Sequence, residues 1–116
     1  MKLLVVDDEV EILTNVVSIL EHKGFQCVAC SSGEEAIEVL KNSSFDLIIT
    51  DKKMKKVSGI DILNHVENNC HEVPVFLLTG DASSRIDFSN PKSQLLRKPY
   101  PMLDLIAQIE KVQAAA

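Results

Sequence analysis

The chain has 116 residues, of which 46% are hydrophobic and 25% are charged, and its net charge is −5. This length and composition are typical of a single globular domain with one hydrophobic core, so we expect one domain over residues 1–116. The acidic balance disfavours direct binding to nucleic acid, and no signal-peptide pattern or bilayer-length apolar run is present. The sequence therefore predicts a cytoplasmic protein that contacts neither nucleic acid nor membrane.

Short apolar runs alternate with amphipathic stretches along the chain. The runs predict five strands, at 2–6, 25–29, 47–49, 74–78 and 94–97. Apolar residues at helical spacing predict helices around 12–20, 36–40, 60–66 and 103–112. The run at 47–49 is apolar on both faces, as in a parallel sheet covered on two sides. The predicted fold class is therefore α/β, a doubly wound five-stranded parallel sheet with helices on both faces.

Capping patterns place the ends of several helices. Asp8, with Glu11 three residues later, predicts a capping box at the start of the first helix, and Gly24 is placed to end it. A serine three residues before a glutamate, within 31–35, predicts the start of the second helix. Pro101 suits the first turn of the last helix.

The three cysteines favour neither disulfides nor a metal site. Cys27 and Cys30 have a C-x-x-C spacing, but they lie in a predicted strand, where residues three apart point to opposite faces. We therefore interpret them as structural residues. Cys70 and His71, with His65 nearby, are a weak indication of a metal site, but no second ligand pair supports it, and a surface loop is favoured.

Polar residues directly follow four of the five predicted strands. They are Asp7 and Asp8 after the first strand, Asp51 after the third, Thr79 after the fourth and Lys98 after the fifth. Because the carboxyl ends of parallel strands share one edge, where open α/β folds place their ligands, we expect these side chains to meet.

Three carboxylates close together repel one another unless a cation joins them, and oxygen ligands of this kind suit Mg²⁺. A carboxylate nucleophile can also take up a phosphoryl group as an acyl phosphate. That reaction needs positive charge around the transferring oxygens, which a bound cation and Lys98 would supply, while Thr79 could bond a phosphoryl oxygen.

With these residues in place, the whole chain resembles the receiver domain of two-component response regulators. The residues that carry the resemblance are Asp7-Asp8, Asp51 in Asp-Lys-Lys-Met, Gly59, Thr79 and Lys98-Pro99. The resemblance implies a flavodoxin-like strand order, 2-1-3-4-5. It also implies that the domain is not an enzyme with turnover, although it takes part in its own phosphorylation and dephosphorylation.

The resemblance further assigns a role to each site residue. Asp51 is the phosphoacceptor, and Mg²⁺ is bound by Asp51, by Asp8 directly, by Asp7 through water and by the backbone carbonyl of Lys53. The phosphoryl donor is a histidine kinase or a histidine phosphotransfer protein, and the phosphorylated state acts on a downstream protein or output domain.

Two further residues have roles implied by the same resemblance. Thr79 follows the phosphoryl group and Lys98 pairs with it. The Lys98-Pro99 peptide bond is expected to be cis.

The sequence departs from the family pattern in the loop after Asp51. Lys55 stands where the family usually has proline, and the loop holds four of the twelve basic residues, at 52, 53, 55 and 56. These lysines either form a solvated loop or attract phosphorylated donors and acidic partner surfaces. The side chain of Lys53 is expected to border the mouth of the site.

A second departure lies between Thr79 and Lys98, which are only 19 positions apart. The segment between them is rich in turn formers, so the fourth helix of the family is expected to be short or missing. Leu95 stands where many members have an aromatic residue coupled to the threonine, so the usual switch is expected to be altered.

Two other functions remain open at this stage. One is a small metal-dependent phosphotransferase or phosphatase with Asp51 as nucleophile, although no residues for binding a larger substrate are evident. The other is a degenerate receiver that acts as a phosphorylation-independent interaction module.

Overall fold

The computed structural model describes residues 1–70 and 72–115 and contains five strands and four helices in that part of the chain. In chain order they are β1 Lys2–Val6, α1 Val10–His22, β2 Gln26–Cys30, α2 Gly33–Asn42, β3 Leu47–Asp51, α3 Gly59–Asn69, β4 Val75–Thr79, β5 Gln94–Arg97 and α4 Met102–Ala114. The strands form one parallel sheet in the order β2-β1-β3-β4-β5. The predicted α/β fold class and the strand order 2-1-3-4-5 are confirmed.

Two hydrophobic clusters cover the two faces of the sheet. One contains Leu3 and Val5 with buried residues of α1 and α4, and the other contains Leu4 and Val6 with buried residues of α2 and α3. Alternate residues of β1 therefore enter opposite clusters, which explains why the strand is apolar throughout. This two-sided burial fixes the sheet and holds its carboxyl edge in one place.

Cys27 and Cys30 lie on opposite sides of the sheet, as predicted. Cys27 packs against the α1 and α4 cluster, while Cys30 is buried in the α2 and α3 cluster. Burial raises the pKa of the Cys27 thiol to about 11 and that of Cys30 to about 12, with smaller contributions from nearby glutamates. All three cysteines are free. The sheet separates the two thiols of the C-x-x-C pair, which agrees with the structural role predicted for them.

The predicted capping box at Asp8 is wrong. Helix α1 begins at Val10, and its N-cap residue, Glu9, makes no side-chain capping bond. Asp7 Oδ1 instead accepts the Glu9 backbone N–H at 2.9 Å. The Asp7 carboxylate therefore satisfies a backbone amide at the helix start, and Asp8 remains available for another role.

The other helix ends largely follow the sequence. Ser32 caps α2 by accepting the Glu35 N–H at 3.1 Å. Gly24 follows the C-cap of α1 with φ of +97°, a conformation that favours glycine. Pro101 is the N-cap of α4, one residue earlier than expected. A capping box at Ser58 and Asp61, which the sequence analysis missed, starts α3.

No helix forms between β4 and β5. Residues 80–93 run as a loop, so of the two alternatives for the family's fourth helix, the missing helix is the one observed. The fourth helix in chain order, α4, has 13 residues and is not shortened. Ile86 and Phe88 of the loop pack against the α2 and α3 cluster and provide apolar cover where a helix is absent.

The weak metal-site pattern includes His71, which lies outside the described residues. Among the described residues, the group of acidic side chains that could hold a metal ion lies at the site described below. Within 1–70 and 72–115, every helix is too short or too polar to cross a bilayer.

Candidate functional site

The sheet register brings the acidic ends of β1 and β3 together. Val6 of β1 pairs with Thr50 of β3, so Asp7 and Asp51 stand at the same level on neighbouring strands. Oxygen atoms of Asp7, Asp8 and Asp51 all lie within 4.8 Å of one another. The predicted convergence of three carboxylates at the carboxyl edge is therefore observed.

Asp51 is the most enclosed of these carboxylates and is only 5% exposed. Its Oδ1 atom is buried and is paired with the Lys98 ammonium group. A buried carboxylate oxygen normally has at least one partner and can accept more than one. Oxygen donors grouped in this way, with acceptor capacity left over, fit a hard divalent cation such as Mg²⁺.

Thr79 and Lys98 complete the site from β4 and β5. Thr79 pairs with Arg97, so Lys98 lies one residue beyond, and its backbone N–H donates to the Thr79 carbonyl at 2.7 Å. The hydroxyl group of Thr79 is buried and accepts the Asp81 N–H at 3.0 Å. The Lys98-Pro99 peptide bond is cis, as expected.

The loop from β3 to α3 is fixed by its backbone. The N–H of Lys52 donates to the Leu78 carbonyl at 2.7 Å, and the Lys52 carbonyl accepts the Gly59 N–H at 2.9 Å. A Cβ atom on Gly59 would lie 2.1 Å from the Asp51 carbonyl oxygen, so only glycine fits this close approach. The close return of the chain holds the loop beside Asp51.

A cleft of about 300 Å³ opens above Asp51. Its lining includes Lys53, Thr79, Asp81 and Lys98. The exposed side chain of Lys53 thus borders the mouth of the site, as the sequence predicts. The two lysines in its lining suit the cleft to an anionic group.

Burial raises the pKa of Asp7 above its ordinary value, and the charge of Asp51 raises it further. The Glu9 N–H and the Lys98 ammonium oppose this effect and lower the pKa of Asp7. The native protein therefore holds the Asp7 proton more tightly than the unfolded chain. In the absence of a metal, the ionised group is a net cost to folding at neutral pH.

Replacing Asp7 by Asn is expected to stabilise the metal-free protein by about 1 kcal/mol at neutral pH, because it removes a buried, repelled charge. The gain should disappear as pH falls through the raised pKa of Asp7 towards the ordinary value of 3.8. Urea unfolding in a chelator across this range measures the effect. Asp87→Asn, at an exposed position outside the cluster, is the control, and a gain equal to the control's would contradict the prediction.

The sequence analysis missed one buried residue of the site, Ser84. Its Oγ atom lies 3.5 Å from Thr79 Oγ1 and accepts a hydrogen bond from Lys52 Nζ at 2.7 Å. A serine within a polar loop carries no pattern that distinguishes it from its exposed neighbour Ser83, so the sequence offered no signal.

The family of the chain follows from its sequence as well as from this geometry. The family model of the response regulator receiver domain matches residues 3–110. The chain belongs to this family. Its receiver fold carries the acidic cluster, the threonine and the lysine at the strand ends where the sequence predicted them.

Proteins similar to this receiver domain include regulators and a kinase. The transcriptional regulatory protein CpxR of Escherichia coli is 32% identical over 114 residues, which are 96% of this chain and 48% of CpxR. The CAI-1 autoinducer sensor kinase/phosphatase CqsS of Vibrio cholerae is 30% identical over 110 residues, which are 92% of this chain and 15% of CqsS. This receiver domain thus spans about half the length of CpxR.

A solved structure gives the same result for the fold. The crystal structure of the response regulator protein TrrA from Thermotoga maritima, in complex with Mg²⁺-BeF, has a TM-score of 0.84 and 26% sequence identity. The match covers 96% of this chain and 97% of the TrrA chain.

Proposed function

We propose that residues 1–116 form one phosphoacceptor receiver domain, in which Asp51 accepts a phosphoryl group from a phosphohistidine. The donor would be a histidine kinase or a histidine phosphotransfer protein. The observation that carries the proposal is the buried Asp51 carboxylate, with an ammonium group on one side and two further carboxylates on the other. This arrangement suits a nucleophile that must approach an anionic group.

Asp51, Lys98 and Thr79 would each have a separate role in the phosphoryl transfer. A carboxylate oxygen of Asp51 forms a bond to phosphorus as the phosphorus–nitrogen bond of the donor breaks, and the imidazole leaves with the bond electrons. Lys98 would move from Asp51 to the transferring oxygens, and Thr79 would donate its hydroxyl proton to one of them.

A magnesium ion completes this proposal. Asp8 and Asp51 would bind it directly, Asp7 would do so through water, and the carbonyl of Lys53 would add a further oxygen ligand. The ion, when bound, neutralises negative charge on the transferring oxygens. The three carboxylates, whose oxygen atoms lie within 4.8 Å of one another, support this assignment.

Phosphorylation by acetyl phosphate with Mg²⁺ tests the proposal. We expect the protein to retain one phosphoryl group as an acyl phosphate, measured by intact-protein mass spectrometry. A small phosphatase would instead release phosphate steadily without retaining it. A degenerate interaction module, which the irregular 80–93 segment keeps open although the intact acids, Thr79 and Lys98 argue against it, would take up no phosphoryl group and would not bind beryllofluoride with Mg²⁺.

The proposed domain acts as a switch and does not turn over a substrate. The added charge on Asp51 would change a protein-interaction surface that a downstream protein or an output domain reads. Consistent with this role, we propose a cytoplasmic location and no direct contact with nucleic acid or membrane. The exposed lysines Lys53, Lys55 and Lys56 would favour an acidic surface on the phosphoryl donor.

Replacing Lys53 by Asn is expected to shorten the lifetime of the acyl phosphate by about threefold, because an ammonium group at the cleft mouth favours the phosphoryl dianion and hinders water. The decay of the phosphorylated mass after donor removal measures this lifetime. Lys55→Asn makes the same change at an exposed position of the loop outside the cleft lining. An unchanged lifetime in Lys53→Asn would reject this role.

A further inference from the structure

Ser84 is a buried residue in an otherwise exposed part of the 80–93 loop. It is 6% exposed, whereas its neighbours Ser83 and Arg85 are exposed. Its hydroxyl oxygen accepts a hydrogen bond from Lys52 Nζ at 2.7 Å and lies 3.5 Å from Thr79 Oγ1. A small polar side chain is thus enclosed directly beside the site, where no helix holds the loop.

Ser84 accepts hydrogen bonds from two residues that are adjacent in sequence to proposed site residues. Lys52 follows Asp51, and it donates to the Ser84 hydroxyl. Arg97 precedes Lys98, and its Nη2 atom donates to the Ser84 carbonyl at 3.0 Å. A movement of the backbone at Lys52 or at Arg97 would therefore be transmitted to Ser84.

The backbone of Lys52 is well placed to transmit such a change. Hydrogen bonds to Leu78 and Gly59 hold it on both sides, so its side chain extends from a fixed base at the end of β3. Arg97 Nε also donates to the Ala82 carbonyl, at 3.4 Å. Cationic side chains of the residue after β3 and of the last residue of β5 thus attach the loop to the edge of the sheet.

We infer that Ser84 is a positioning residue for Thr79 and couples phosphorylation of Asp51 to the 80–93 loop. This inference rests on the proposed function. The loop itself would then be the segment whose conformation reports the state of Asp51.

The hydroxyl groups explain how the coupling would work. Thr79 Oγ1 already accepts the Asp81 N–H, so its own proton is available, and Ser84 Oγ is a neighbouring oxygen. A phosphoryl oxygen on Asp51 is negatively charged and attracts that proton more strongly than a neutral hydroxyl does. Thr79 would then turn away from Ser84, and the new charge would also attract the Lys52 ammonium.

Amide hydrogen exchange over residues 80–93, with and without Mg²⁺ and beryllofluoride, tests the coupling. In the unsubstituted protein we expect beryllofluoride to change the exchange rates of the loop by about fivefold, the effect of one net hydrogen bond. Ser84→Ala should still bind beryllofluoride, as measured by fluorine NMR, but the ligand should no longer change exchange in the loop. Ser89→Ala, a chemically identical change at an exposed residue of the same loop, should behave as the unsubstituted protein does.

Variants of Lys52 make the test independent of the folding of Ser84→Ala. Lys52→Met removes the donor to Ser84 and should also abolish the ligand-dependent change, whereas Lys52→Arg keeps a donor and should restore it. A full loop response in both Ser84→Ala and Lys52→Met would overturn the inference while leaving the proposed function intact. Failure of the unsubstituted protein to bind beryllofluoride would overturn both.

Discussion

Replacing Asp51 by Asn is expected to abolish phosphorylation by acetyl phosphate, leaving no detectable phosphorylated protein. The amide lacks the anionic oxygen that attacks phosphorus, and no other group of the cluster is paired with the Lys98 ammonium. The loss of one buried charge should not destabilise the metal-free protein, because Asp7 and Asp8 then repel one acid fewer. Intact-protein mass spectrometry after incubation with donor and Mg²⁺ measures the result.

Asp87→Asn is the matched control for this experiment. Asp87 lies on the exposed surface of the 80–93 loop, and it makes the same change of carboxylate to amide away from the cluster. It should be phosphorylated like the unsubstituted chain. Retention of one phosphoryl group by Asp51→Asn would place the acceptor elsewhere and contradict the proposed role of Asp51.

Replacing Lys98 by Met is expected to slow phosphorylation by acetyl phosphate by about 100-fold or more, the usual effect of losing one stabilising donor from a reaction centre. The Lys98 ammonium pairs with Asp51 Oδ1, which is a buried atom. During transfer the same ammonium would neutralise charge on the phosphoryl oxygens. Methionine keeps most of the length of the side chain and removes the charge together with its hydrogen-bond donors.

The rate of phosphorylation at fixed acetyl phosphate and Mg²⁺ measures this effect. Lys111→Met, at an exposed position of α4, changes the net charge equally and should leave the rate within about twofold of the original. A rate for Lys98→Met as high as that of Lys111→Met would show that Lys98 has no part in the transfer.

Much of the site could be predicted because parallel strands impose a simple rule. A buried strand appears in the sequence as an apolar run, and the residue that ends or follows it lies at the carboxyl edge, so the sequence alone places Asp7, Asp51, Thr79 and Lys98 there. The same rule does not give side-chain distances. The ion pair between Lys98 and the buried Oδ1 atom of Asp51 was found only in the structure.

Local patterns were less reliable where two residues compete for one partner. Asp8 was predicted to cap α1 from its spacing to Glu11, but Asp7 takes the amide at the helix start because β1 delivers it to that point. The turn formers in 80–93 argued against a full helix, yet they could not show that Ser84 would be buried. That burial depends on Lys52 and Arg97, which are distant in the sequence.

In the segment between β4 and β5, apolar cover of the sheet does not depend on helical structure. Ile86 and Phe88 still shield the sheet from water, although their backbone has no regular hydrogen-bond pattern. Shielding therefore needs only two apolar side chains at suitable positions, and the remaining residues of the segment are released from helical periodicity. Insertions and deletions that leave Ser84 and its contacts in place should accordingly be tolerated as long as those two anchors are kept.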